Sequence, residues 1–178
     1  MFRAGLAIAI ACCVMVLPAA AGYIFFYQLH DDWAVLCWRD QASEIKSCRM
    51  NAPPAGATGG TRRNELIVHE YAPERFQIVV QLNEPASEDH PLFLKVAPEG
   101  TLHQTRIVDR LARWFDAEAA AIMAEMARGT DLTYRFHSAG DEALPRDTHI
   151  RLGSYPEALK VYRQEIRRHG LLKGDGGK

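Results

Sequence analysis

The sequence predicts a mainly β domain: an antiparallel β-sandwich with two peripheral α-helices, following an N-terminal signal or anchor helix. Three observations carry this. Eight short stretches alternate apolar and polar residues with the period of a half-buried strand. Two later stretches switch to helical spacing with their own start and stop signals. Ahead of both, the first 27 residues hold one charged side chain, Arg3.

The N-terminus has the order of a secretory signal. Met1-Phe2-Arg3 supplies a positive charge, an uncharged apolar run fills 4–27, and Leu17-Pro18-Ala19-Ala20-Ala21 offers small residues for cleavage after Ala21. The run continues through Gly22-Tyr23-Ile24-Phe25-Phe26-Tyr27. As one helix, 4–27 would reach about 36 Å, enough to cross a bilayer core of about 30 Å, with Tyr23 and Tyr27 at its outer interface. Residues 1–27 are therefore a signal peptide or a membrane anchor, 28–170 the folded domain and 171–178 a disordered tail. Either N-terminal fate places the domain outside the cytoplasm, periplasmic and released or held at the inner membrane. Cys12 and Cys13 lie inside the apolar run, where Ala9-Ile10-Ala11 makes a poor lipoprotein box.

The first strand is Trp33–Trp38, and its partner runs from Lys46 to Asn51. Cys37 and Cys48 are the only cysteines beyond the leader, and an even pair in an oxidising compartment predicts a disulfide across the base of this hairpin. The turn-like Asp40-Gln41-Ala42-Ser43 lies between them. Pro53-Pro54, Gly56 and Gly59-Gly60 mark 52–63 as a loop. Strands follow over 66–71 and 76–82, the second with Phe76, Ile78, Val80 and Leu82 on one face. After a polar turn from Pro85 to Pro91 come Leu92, Leu94 and Val96, a Pro98-Glu99-Gly100 turn, and a strand over 101–109. The last two strands centre on Leu132, Tyr134, Phe136 and on Thr148, Ile150, Leu152.

Phe115, Ala119, Ile122, Met123 and Met126 recur at helical spacing, with Asp116 as N-cap and Gly129 as the stop. Ser154-Tyr155-Pro156-Glu157 reads as a capping box. Tyr155, Ala158, Leu159, Tyr162 and Ile166 then form one stripe, ended by Gly170.

No motif carries catalytic chemistry. Charge is balanced, 21 Lys+Arg against 22 Asp+Glu, so no global field favours nucleic acid. His69, His103, His137 and His149 fall on strand faces that read as exposed, without H-E-x-x-H or H-x-H spacing, and are weak metal candidates. Ser138 and Ser154 lack a G-x-S-x-G elbow, and Gly56-Ala57-Thr58-Gly59-Gly60 lacks the lysine of a phosphate loop. No cofactor is implied. Trp114, in a polar setting before a helix, and the basic Arg167 and Arg168 are the candidate partner contacts.

Asp32-Trp33-Ala34-Val35-Leu36-Cys37 followed by Cys48-Arg49-Met50 resembles the opening of the invasion associated locus B family, with its D-W-x-V-x-C strand. Looser matches follow in order. Leu94 to Leu102 looks like the family's strand and Pro-x-Gly turn, Val108-Asp109 like its V-D, Arg128 to Phe136 like its late strand, and Ile150 to Leu159 like its closing segment. The family's second cysteine pair is missing, since the matching stretch reads Arg113-Trp114-Phe115-Asp116-Ala117-Glu118-Ala119-Ala120. The resemblance implies an envelope-associated β-sandwich linked to host-cell interaction, and it supplies no catalytic residue. The expected function is a non-enzymatic binding protein whose partner is a protein or envelope component, with membrane contact through 4–27 if uncleaved. The alternatives are an extracytoplasmic metal-binding protein or hydrolase built on the strand histidines, and a membrane-anchored assembly factor.

Overall fold

A computed structural model describes residues 22–40, 46–53, 64–140 and 144–171. The leader expected to Ala21, the turn expected at 41–43, most of the loop expected over 52–63 and the tail expected from 172 lie outside the described residues.

Among the described residues, eleven strands and two helices follow in chain order. They are β1 (Tyr23–His30), β2 (Trp33–Arg39), β3 (Lys46–Ala52), β4 (Glu65–Ala72), β5 (Arg75–Gln81), β6 (Leu92–Ala97), β7 (His103–Thr105), β8 (Ile107–Val108), β9 (Leu111–Phe115), α1 (Asp116–Met126), β10 (Asp131–His137), β11 (Pro145–Arg151) and α2 (Tyr155–His169). One sheet has seven strands in the order β1-β2-β3-β4-β5-β9-β8, and the other has four, β11-β10-β6-β7. All pairs are antiparallel. The expected mainly β, antiparallel sandwich with two helices is the observed architecture.

Period-two alternation decides which face of the large sheet is buried. Register aligns Val35 with Met50, Cys37 with Cys48, Met50 with Val68, Val68 with Ile78, and Ile78 with Trp114. These side chains form the inner face and are buried. They join Leu94, Val96, Leu132, Tyr134 and Phe136 of the small sheet in one core cluster. The Cys37–Cys48 disulfide is part of that face. On the chain-entropy account, closing so short a loop stabilises by about 3 kcal/mol.

The large sheet is three strands wider than the small one, and the helices cover what remains. α2 packs on β1, β2 and β3, while α1 packs on β5, β9 and β6. Tyr155 meets Trp33 edge to face with ring centroids 5.0 Å apart. The Tyr162 hydroxyl accepts the Glu70 N–H at 2.7 Å, and the Trp33 indole N–H donates to the Arg151 carbonyl at 3.1 Å. Burial pushes the Tyr155 and Tyr162 phenols well above their ordinary range, so both stay neutral at any physiological pH.

Four expectations need correction. Residues 23–27 do not continue an apolar helix. They open β1, which pairs with β2 from Tyr23↔Arg39 to His30↔Trp33, so the folded unit begins ahead of residue 28. Leu111–Phe115 is a strand because Trp114 and Ala112 complete the inner face against Ile78 and Val80. The single strand expected over 101–109 is two short ones, His103–Thr105 in the small sheet and Ile107–Val108 in the large. Neither predicted helix cap makes a side-chain capping bond. Ser154 Oγ donates instead to the His30 carbonyl at 2.7 Å, and the Asp116 carboxylate turns to Arg75 and Tyr71. Gly170 closes α2 as expected, in the left-handed conformation.

Gly129 sits where α1 returns to the small sheet. A Cβ there would lie 2.3 Å from Val96 Cγ1 and 2.8 Å from the Ala97 carbonyl oxygen. Gly153 has open space around it. Gly129→Ala is therefore expected to destabilise by about 1–3 kcal/mol through overpacking, and Gly153→Ala to stay within about 0.5 kcal/mol. Urea unfolding of the two variants checks this contrast.

Candidate functional site

The four strand histidines occupy four separate surroundings. His69 is half-buried on the outer face of the large sheet, opposite Gln77. Burial and the nearby Arg49 cation push its pKa down, so it favours the neutral form. His137 ends β10 and stacks on His90, ring centroids 4.5 Å apart. His149 is exposed on β11 and hydrogen-bonds the Thr133 hydroxyl at 2.9 Å. Thr133, its partner, is four residues from His137, roughly 13 Å along the strand.

His103 departs from its expected exposure. It is 8% exposed, because β7 turns it under α1. Glu125 Oε2 lies 3.2 Å from its Nε2, and Glu118 Oε1 lies 3.8 Å from its Nδ1. Glu125 also accepts the Thr101 N–H at 3.2 Å. The two carboxylates stand at opposite ring nitrogens, so the three side chains tie α1 to β7 without sharing a ligand point. Among the described residues, no three His, Cys, Asp or Glu side chains are placed to hold a metal ion.

A second charged cluster has no clear signal in the sequence. Arg75 donates from Nη2 to Asp116 Oδ2 at 2.7 Å and from Nε to Oδ1 at 3.1 Å. The Tyr71 hydroxyl donates to the same carboxylate, and its ring lies 5.1 Å beneath the Arg75 guanidinium. These hydrogen bonds, Arg75's first, hold the Asp116 carboxyl at about 2 against an ordinary 3.8. Asp116 adopts φ 50°, a strain the cluster offsets as the chain passes from β9 into α1. All three groups are solvated, so the cluster positions the start of α1 rather than forming an enclosed reaction site.

At the other helix, Arg167 and Arg168 are exposed near the end of α2, as their sequence position implies. Arg167 Nε donates to the Arg163 carbonyl at 3.2 Å, and Arg168 reaches Glu165 at 3.7 Å. Arg163, Ile166 and Arg167 form one wall of an open groove of about 690 Å³, with Glu70, Glu74 and Phe76 opposite. The Arg163 guanidinium sits over the Phe76 ring at 5.8 Å. This groove could seat an extended chain carrying both charges.

Trp114 does not join any of these surfaces. It is 1% exposed, held between the sheets by the strand that places it opposite Ile78. It is a core residue and no partner contact. The feature missing from the sequence reading is on β1. Ile24, Tyr27 and Leu29 project outward from an edge strand, each about three-fifths exposed. Their alternation with Phe26 and Gln28 was hidden by the apolar run that precedes them.

No family model matches the chain, and no curated protein matches it. Among solved structures it is similar to the crystal structure of invasion associated protein B from Bartonella henselae. The TM-score is 0.63 at 15% identity, over 80% of this chain and 99% of that one. The likeness shows a shared fold.

Asp116 supplies a direct electrostatic check. Its folded pKa is depressed, so its contribution to stability is complete above about 3.8 and is lost as pH falls through about 2. Carboxyl titration followed by NMR is expected to place Asp116 near 2. Arg75→Ala is expected to return it toward the ordinary range, and an unmoved midpoint would exclude the arginine as the main cause.

Proposed function

We propose that the chain is an exported, envelope-associated binding protein without catalytic activity. A buried disulfide behind an apolar leader carries this proposal. Cys37 and Cys48 are 0% and 3% exposed and face each other across β2 and β3. A cross-link of that kind forms and persists in oxidising compartments. The leader supplies the route there, through the order of Arg3, the apolar run and Ala19 to Ala21.

Binding rather than catalysis is supported by what the side chains do. The four strand histidines stand apart from one another, the Asp116 and His103 clusters each brace a helix, and the groove beside α2 is open and mixed in charge. One solved structure with a similar fold belongs to an invasion associated protein. A partner that is a protein or envelope component, and a link to host-cell interaction, accord with that likeness. The basic end of α2 with its groove is the docking surface assigned to a protein partner.

A membrane-held form of the same protein is favoured by the exposed apolar face of β1. With Tyr23–His30 in the sheet, 18 residues from Ala4 to Ala21 remain ahead of Gly22. As a helix they would reach about 27 Å, close to the hydrocarbon thickness of a bilayer.

Cell fractionation combined with intact mass, measured with and without reductant, tests the proposal. The expected result is protein in the envelope or periplasm, with the thiols of Cys37 and Cys48 appearing only after reduction. Cytoplasmic protein with both thiols free would contradict it. The same spectrum gives the N-terminus: Gly22 for a released protein, the full chain for an anchored one.

A further inference from the structure

We infer that the outer face of β1 and β2 is a lipid-binding surface, lying on the membrane that holds the N-terminal apolar run. This deepens the membrane-held form above and rests on it.

The face is built by register. Ile24 pairs with Trp38, Tyr27 with Leu36 and Leu29 with Ala34, so these side chains share the side of the sheet away from the core. Ile24, Tyr27 and Leu29 are 61%, 60% and 59% exposed, and Leu36 and Trp38 are half-buried beside them. From Ile24 to Leu29 the strip runs roughly 16 Å. Single exposed apolar residues are ordinary, but five on two adjacent strands form a contiguous patch. β1 is also the edge of its sheet, with no further strand beside it among the described residues. An apolar edge left open to water favours aggregation, so a covering surface is expected.

Three observations identify lipid as the cover. The first is continuity. No Asp, Glu, Lys or Arg occurs from Ala4 to Leu29. Ile24 is three residues beyond Ala21, so it lies within about 11 Å of the end of the apolar run. A membrane holding that run is thus already beside the strip, at high local concentration. The second is chemistry. Ile and Leu side chains suit the acyl region, while Tyr27 and Trp38 are the residue types that settle at the boundary between acyl chains and headgroups. The third is charge. The Arg49 guanidinium lies over the Trp38 ring, 5.8 Å from its centroid, on this same outer face. The outward residues of β1, β2 and β3 include no carboxylate. An apolar strip bordered by the Arg49 cation, with no carboxylate on the outward faces of its own strands and β3, complements an anionic phospholipid surface.

Leu102 provides the control. It is 60% exposed, as Tyr27 is, but lines a groove on the outer side of the four-stranded sheet. The photoreactive p-benzoylphenylalanine is introduced at Tyr27, or at Leu102, in the full chain expressed in bacterial cells. Membranes are washed with high salt, irradiated, and the purified protein is weighed. The expected result is a phospholipid adduct at Tyr27, several-fold more abundant than at Leu102. An adduct of twice the chain mass would assign the face to a second copy, and an adduct with another protein would assign it to that partner. Either overturns the proposal, as does equal lipid labelling at the two positions in membrane-retained protein. Loss of the chain from washed membranes with Gly22 at its N-terminus removes the anchored form and this proposal together. Fractionation reveals that before irradiation, so the two failures are distinguishable.

Discussion

The fold depends on covering the inner face of a seven-stranded sheet that has only a four-stranded sheet to pack against. Strands lie about 4.8 Å apart, so the excess is roughly 14 Å of apolar sheet. α2 meets that need over β1, β2 and β3. Trp33 is the central residue of the arrangement. Its ring packs on Tyr155, its indole N–H binds the Arg151 carbonyl, and it stands opposite His30, whose carbonyl takes the Ser154 hydroxyl. The β1–β2 hairpin, the end of β11 and the start of α2 therefore meet at one corner. Arg151 and Asp32 close the same corner from the solvent side at 2.8 Å.

Contacts distant in sequence, at this corner and at the start of α1, explain why the helix caps failed as local predictions. Ser154 and Asp116 are residue types that cap helices when the chain is considered alone. Each has a stronger claim from a residue far away in sequence, His30 for Ser154 and Arg75 for Asp116. Strand alternation survives this competition better, because burying one face and wetting the other needs no particular partner. Phe76, Ile78 and Val80 thus point as their spacing predicts. The Cys37–Cys48 pairing was legible for a similar reason, since two cysteines at the ends of adjacent alternating runs have few alternatives. β1 was not legible. Phe25 and Phe26 interrupt its alternation at a register shift between Ile24 and Phe26, and the charge-free run before it continues the same composition.

Candidate sites were less legible than the fold. Trp114 was a candidate partner contact because its setting before a helix is polar, yet strand geometry sends Arg113 out and Trp114 in. His103 was misread in the opposite sense. Its burial depends on α1 arriving above β7 with Glu118 and Glu125, a contact between elements that no local pattern encodes. The surface at β1 needed the register with β2 before its five apolar side chains could be assigned to one face. What sequence did convey was the cross-link: Cys37 and Cys48, the pair beyond the N-terminal apolar run, form the disulfide between β2 and β3.

These parts form one molecule in which α2 completes the core and leaves the far side of β1 and β2 as the open apolar surface. The role of α2 is tested most directly by urea unfolding of Tyr155→Ala, followed by tryptophan fluorescence and far-UV circular dichroism together. Tyr155 is fully buried against Trp33, so the account predicts a loss of about 3–5 kcal/mol, with both signals moving in a single transition. A loss below about 1 kcal/mol, or helix signal melting separately from the tryptophans, would show that the large sheet does not depend on its helical cover.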